Sequence, residues 1–107
     1  MATPQGGAKS TTGTDISPAN FANTLVALTT LANARLGWII RNPIGNTQTL
    51  YLRFAITAGS IPITDALAHW ALAPGDLVND GVVGYCGPIW GSFSGAVSEG
   101  ALVVVFT

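Results

Sequence analysis

Short runs rich in apolar and β-branched residues follow one another along the chain from Phe21 onward, and clusters of Gly, Pro, Asn and Asp separate them. The separating residues favour tight turns, and the runs are short for the helices of a globular domain. Strands that recur in this way are typical of a sandwich or a barrel. The sequence therefore predicts an all-β fold, either a single antiparallel β-sandwich or a jelly-roll-like barrel.

The clearest unit of this pattern is a predicted hairpin in the first half of the chain. Residues 36–42 and 48–56 both alternate in character, and residues 43–46 between them have the composition of a turn. Pairing the two strands symmetrically about Gly45 assigns one face of the hairpin to the core. That face carries Leu36, Trp38, Ile40, Leu50, Leu52 and Phe54.

The opposite face of the predicted hairpin is mixed in character. It carries Gly37, Ile39, Arg41, Thr49, Tyr51 and Arg53. Arginine and aromatic residues are enriched where protein surfaces meet, and arginine forms bidentate pairs there. We therefore predict a contact surface made of Ile39, Arg41, Tyr51 and Arg53.

Further strands are predicted over residues 23–30, 69–73, 77–78, 82–83, 89–93 and 101–106. Threonines favour a strand over a short helix in the first of these segments. The Asp80-Gly81 pair lies between two of them and is a strong signal for a hairpin turn. Residues 101–106 are apolar at every position, as expected where both faces of a strand are covered. We expect this last strand to lie centrally in a sheet or beneath a partner subunit.

The beginning of the chain differs from the rest. Residues 1–20 are rich in Gly, Ser, Thr and Pro, so we predict an extended N-terminal arm there, followed by one β-sandwich domain over residues 21–107. A chain of 107 residues is long enough for one modest hydrophobic core. The segment after Met1 lacks the apolar centre of a secretory signal, and no segment resembles a membrane-spanning helix. We therefore expect neither export nor a membrane partner.

Charge is scarce in this chain. Charged residues make up 8% of it, against about 25% in a typical soluble domain, and the formal net charge is −1. With only four Lys and Arg residues, the chain has no basic stripe to neutralise phosphates, which argues against a nucleic-acid partner. A monomer with so few charges has little electrostatic protection against association. We expect the protein to function within an assembly.

The residues that carry enzyme chemistry are equally scarce. General acid–base and nucleophilic catalysis need paired reactive groups, but His69 and Cys86 are the one histidine and the one cysteine of the chain. Asp76 and Asp80 match two positions of a calcium-binding loop, whereas a valine and a glycine occupy ligand positions of that motif. No phosphate-binding loop, zinc spacing or dinucleotide motif is present in the sequence. We therefore predict no enzyme activity, no metal and no cofactor.

Several short segments between residues 34 and 107 share one pattern of strands and turns. They are residues 34–42 (ARLGWIIRN), 50–54 (LYLRF), 72–75 (LAPG), 87–91 (GPIWG) and the valine-rich C-terminal end. In these segments the chain resembles small β-sandwich virion proteins of tailed bacteriophages. The resemblance implies a structural role in the virion, as a capsid decoration, cement, head-fibre or tail-associated protein made in the cytoplasm of the host bacterium.

Combined with the low charge and the predicted arm, this resemblance implies a particular role. We expect a capsid decoration or cement protein, a homotrimer on the virion surface, whose partner is the phage major capsid protein and whose arm reaches a neighbouring subunit. The alternative is a tail- or head-fibre-associated module that binds host-surface glycans. This alternative predicts exposed Trp or Tyr rings on one face, whereas the capsid role predicts that the tryptophans are core and interface anchors.

Overall fold

The computed structural model describes residues 13–15, 17–29, 37–55, 62–85 and 87–106, which form two four-stranded antiparallel sheets packed as a sandwich. The strands are β1 (Gly13–Asp15), β2 (Val26–Thr29), β3 (Gly37–Arg41), β4 (Leu50–Phe54), β5 (Trp70–Leu72), β6 (Leu77–Asn79), β7 (Ile89–Phe93) and β8 (Leu102–Phe106). A short helix, α1 (Asp80–Val83), follows β6. The predicted all-β antiparallel sandwich is therefore confirmed.

The pairing of β3 and β4 differs from its prediction. Sheet I has the strand order β1-β8-β3-β6, and sheet II has the order β2-β7-β4-β5. The predicted β3–β4 hairpin is therefore wrong, because the two strands belong to different sheets and the segment between them is an arch that crosses the sandwich. Alternation along a strand shows which side chains are buried but not which strand is the neighbour, since a hairpin and an arch both turn apolar residues inward.

Asn42 shapes this arch. Its side chain is completely buried, and its Nδ2 donates hydrogen bonds to the backbone carbonyls of Gln48 at 2.8 Å and Leu72 at 2.9 Å. The Asn42 Oδ1 accepts a hydrogen bond from Asn46 Nδ2, which also donates to the carbonyl of Gly100. Buried polar groups need such partners. One side-chain amide therefore joins the end of β3 to the segment before β4 and to β5.

A second polar cluster ties the arch to the segment before β8. The Glu99 carboxylate accepts hydrogen bonds from the backbone N–H groups of Thr47 and Gln48 and from the Thr47 hydroxyl, at distances from 3.0 to 3.2 Å. The backbone of Glu99 also pairs with that of Phe21. Desolvation raises the pKa of Glu99, but the hydrogen bonds from Gln48 and Thr47 lower it by more, so this pKa lies below its usual 4.5. The ionised carboxylate therefore stabilises the fold.

The core lies between the inner faces of the two sheets. Its almost completely buried side chains include Trp38, Ile40, Leu50 and Leu52. Phe54 is half-buried and packs against them, and Leu36 lies outside the described residues. The prediction that these side chains of β3 and β4 face the core is therefore confirmed for the described residues. Burial of each large aliphatic side chain contributes about 1.5–3 kcal/mol to stability.

The segment after β6 also differs from its prediction. Asn79 caps the beginning of α1, where its Oδ1 accepts a hydrogen bond from the N–H of Val82 at 3.1 Å. Gly84 ends the helix in the left-handed conformation, with φ at 71°. The predicted hairpin turn at Asp80 and the predicted strand over residues 82–83 are therefore wrong, because Asn followed by Asp and Gly suits a helix start as well as a turn. The Asp80 carboxylate accepts a hydrogen bond from the N–H of Trp38, which attaches this helix to β3.

The remaining predicted strands are confirmed. β2, β5 and β7 lie within their predicted segments, and β8 lies between β1 and β3, as its apolar sequence predicted. β1 lies within the predicted arm and pairs with β8 in a register that places Asp15 opposite Val104. The Ser17 hydroxyl accepts a hydrogen bond from the N–H of Val103 and continues this attachment. Residues 1–12 of the predicted arm lie outside the described residues.

Candidate functional site

The four residues of the predicted contact surface lie on two separate surfaces. Ile39 and Arg41 in β3 lie on the outer face of sheet I, and Tyr51 and Arg53 in β4 lie on the outer face of sheet II. The outer faces of a sandwich are on opposite sides of the molecule, so the structure does not bring the four residues together. The arch between β3 and β4 is the cause, since a hairpin would have placed them on one face.

The outer face of sheet I is largely apolar. Five neighbouring residues on it are here named the apolar face: Ile39, Leu77, Leu102, Val104 and Phe106. Ile39 lies directly opposite Val104 across the β3–β8 pair. Leu77 is 52% exposed, and the other four residues are half-buried. Contiguous exposed apolar surface is typical of an interaction site.

Two opposite charges lie on the outer face of sheet I together with the apolar residues. Arg41 lies between Leu102 and Leu77 and has neither an ion pair nor a hydrogen bond within the described part of the chain. Asp15 lies on β1, where its carboxylate accepts hydrogen bonds from the hydroxyl of Ser17 at 2.5 Å and from the N–H of the same residue at 2.9 Å. These hydrogen bonds lower the pKa of Asp15 below its usual 3.8. Asp15 is therefore ionised at neutral pH.

The segment of residues 62–68 partly covers the outer face of sheet II. Ile63 in this segment is only 3% exposed. Arg53 donates a hydrogen bond from Nη1 to the carbonyl of Leu67 at 2.6 Å. Trp90 lies opposite Arg53 in β7, and its Nε1 donates to the carbonyl of Ala55 at 3.1 Å. Arg53 therefore helps to hold the segment on its own sheet.

A cleft of about 420 Å³ lies where this segment meets sheet II, and we name it the loop cleft. Its lining residues include Asn23, Tyr51, Ile63, Thr64, Asp65 and Ser94. Tyr51 belongs to the contact surface that the sequence predicted. The other lining residues come from three segments that are distant in sequence and share no motif, so no sequence signal could have identified them.

The three tryptophans lie in different environments. Trp38 is buried in the core, where its Nε1 donates to the carbonyl of Tyr85 at 2.7 Å. Trp70 is 37% exposed on β5 and lies opposite Leu52 of β4, so it is on the inward side of sheet II. Trp90 is half-buried on the outer face of sheet II, which it shares with Tyr51. Tyr51 and Trp90 are therefore the pair of aromatic rings that a glycan-binding face on sheet II would use.

The residues considered for catalysis and metal binding make structural hydrogen bonds. His69 Nδ1 accepts a hydrogen bond from the N–H of Phe54 at 3.0 Å, and the two rings stack. Asp76 and Asp80 each accept a backbone N–H. Among the described residues, no group of three His, Cys, Asp or Glu side chains is arranged to hold a metal ion, and Cys86 lies outside them. None of the helical structure in the described ranges is long and apolar enough to cross a membrane.

No protein-family model matches the chain, and neither a curated protein nor a solved structure matches it. The class of protein that the structure defines is the antiparallel β-sandwich. Its two features that point to a function are the apolar face on sheet I and the loop cleft on sheet II. They lie on opposite sides of the molecule, so they can serve different partners.

Proposed function

We propose that the protein is a non-enzymatic structural subunit of a tailed-phage virion. In this role it is a homotrimeric decoration or cement protein on the capsid surface that stabilises contacts between major capsid subunits. The observation that carries the proposal is the apolar face with Arg41, which has no partner among the described residues. The resemblance of the strand and turn segments to small virion proteins supports the location, and the low charge supports a role within an assembly.

The composition of the apolar face suits a protein interface. Interface cores are more apolar than the rest of the protein surface, are enriched in aromatic residues and arginine, and are poor in Lys, Glu and Asp. On sheet I, four half-buried apolar side chains and the exposed Leu77 lie around one arginine. A partner that covers this face removes apolar surface from water, which contributes about 25 cal/mol for each Å².

The positions of the two charges suit a ring of identical subunits. Asp15 lies on the edge strand β1, whereas Arg41 lies on β3, beside the opposite edge strand β6. In a heterologous contact that closes into a trimer, one edge of the apolar face of each subunit contacts the opposite edge of the apolar face of the next subunit. Arg41 of one subunit then lies near Asp15 of the next subunit. The outer face of sheet II stays accessible to the major capsid protein or to another partner.

Size-exclusion chromatography with light scattering tests the self-association. We expect the mass of three 10.9 kDa chains, and we expect Arg41→Glu to lower it because the variant brings like charges together. Adding Asp15→Arg to Arg41→Glu exchanges the two charges and should restore the trimer. The control Leu67→Glu alters an exposed residue in the segment over sheet II, on the opposite side of the sandwich from the apolar face, so the mass should not change. A wild-type monomer would contradict the proposal.

Quantitative mass spectrometry of purified particles tests the place in the virion. A decoration protein is present in a number of copies comparable to that of the major capsid protein, so we expect a similar molar abundance. A few copies per particle would favour the fibre-associated role and contradict capsid decoration. Complete absence from the particle would contradict a virion role of either kind.

A further inference from the structure

We infer that the loop cleft is a binding site for a neutral saccharide. This inference goes beyond the proposed structural role, because it concerns the opposite side of the sandwich from the apolar face. It rests on the size of the cleft, on the chemistry of its lining and on the position of the cleft within sheet II.

The size of the cleft suits a small ligand. Ligand pockets in proteins measure about 300–1,000 Å³, and the loop cleft measures about 420 Å³. Contacts within the protein fix the two walls of the cleft. Ile63 is only 3% exposed and anchors the segment above the sheet, while Ser94 is bound through two hydrogen bonds to Thr49, the residue before β4. The cleft is therefore a preformed concave site.

The lining combines one aromatic ring with several exposed polar groups. Tyr51 is half-buried, and its hydroxyl has no hydrogen-bond partner among the described residues. The amide of Asn23, the hydroxyl of Thr64 and the carboxylate of Asp65 are exposed around it, also without side-chain partners within the described part of the chain. Sugar hydroxyls both donate and accept hydrogen bonds, so this mixture of donors and acceptors complements them. The Tyr51 ring offers an apolar surface to the C–H face of a sugar.

The charge of the lining selects a neutral ligand. Among the described residues that line the cleft, Asp65 is the one charged residue, and neither lysine nor arginine is present. A phosphate or an acidic sugar would be repelled by the carboxylate, and Arg53, the cation on this face among the described residues, already donates to the carbonyl of Leu67. The same carboxylate is a strong acceptor for a pair of sugar hydroxyls.

The position of the cleft argues against an extended peptide as the ligand. Peptides commonly bind by adding a strand to the free edge of a sheet. The cleft instead lies over β4, which is already paired on both sides, with β7 and with β5. Its backbone N–H and C=O groups are therefore not available to a further strand, and side chains must make the contacts.

Backbone amide NMR of the full chain tests this inference. A panel of methyl glucoside, methyl galactoside, methyl mannoside and N-acetylglucosamine is titrated into the labelled protein at millimolar concentrations. We expect at least one sugar to shift the amide signals of Tyr51, Thr64, Asp65 and Ser94. Tyr51→Ala and Asp65→Asn should each weaken that binding about tenfold, because each removes one good contact. The control Val82→Ala, at an exposed position on α1 outside the cleft lining, should leave the affinity unchanged.

Several results would overturn the inference. They are no shift with any of the sugars, shifts that map away from the cleft, or unchanged affinity in both cleft variants. Preferential binding of glucose 6-phosphate, or of a peptide in place of a sugar, would overturn the assignment of a neutral saccharide. If Tyr51→Ala does not fold, Tyr51→Phe keeps the ring and removes only the hydroxyl, and it should still weaken binding. Arg41→Glu should bind the sugar normally, so failure of the proposed trimer is distinguishable from failure of the cleft.

Discussion

Replacing Asn42 by alanine should destabilise the protein more than any exposed substitution, because this amide holds the arch between the sheets. The variant leaves the buried carbonyls of Gln48 and Leu72 without their donor, and Asn46 loses its acceptor. Each buried carbonyl left unpaired costs about 1–3 kcal/mol, so the two carbonyls together give an expected loss of about 2–6 kcal/mol. Since small domains unfold at a cost of about 5–15 kcal/mol, a large share of the stability is lost.

Equilibrium unfolding in urea measures this loss. All variants are compared at one protein concentration, because self-association adds to the apparent stability. Asn42→Asp keeps the shape of the side chain but cannot donate to the two carbonyls, so it should lose at least as much stability as Asn42→Ala. Asn23→Ala is the matched control at an exposed site and should change stability by about 0.5 kcal/mol or less. A loss below about 1 kcal/mol in Asn42→Ala would refute the role assigned to the amide.

Three further predictions concern other parts of the fold. Glu99→Gln should flatten the dependence of stability on pH. Because the pKa of Glu99 is lowered in the folded state, the stabilisation by its carboxylate is present above the usual 4.5 and is lost as the pH falls through the folded-state pKa. Urea unfolding of both proteins across this pH range measures the difference. Gly84→Ala should lower the stability by about 1 kcal/mol, because φ is 71° at this residue. Gly45 has equally open surroundings and no positive φ, so Gly45→Ala should lower the stability less. Thermal melts compare the two variants. Leu52→Ala should cost about 2–5 kcal/mol in the same melt, because Leu52 is completely buried between the sheets.

The contact surface shows where prediction from sequence succeeds and where it fails. Alternation correctly placed Ile39, Arg41, Tyr51 and Arg53 away from the core, because each strand turns successive side chains to opposite faces. It could not show that the first two and the last two lie on opposite sides of the molecule. That depends on whether residues 43–46 form a hairpin turn or an arch, and both connections are compatible with the same turn residues.

The sequence by itself determined the fold class and the identity of the core. Both follow from local properties: turn residues set the lengths of the strands, and a period of two residues sets the buried face of each strand. Only the tertiary structure decided the partners, since β3 pairs with β8 from the far end of the chain and β4 pairs with β7. The apolar face and the loop cleft both depend on these non-local pairings. They join residues that are distant in sequence, and no local pattern records which distant segments meet.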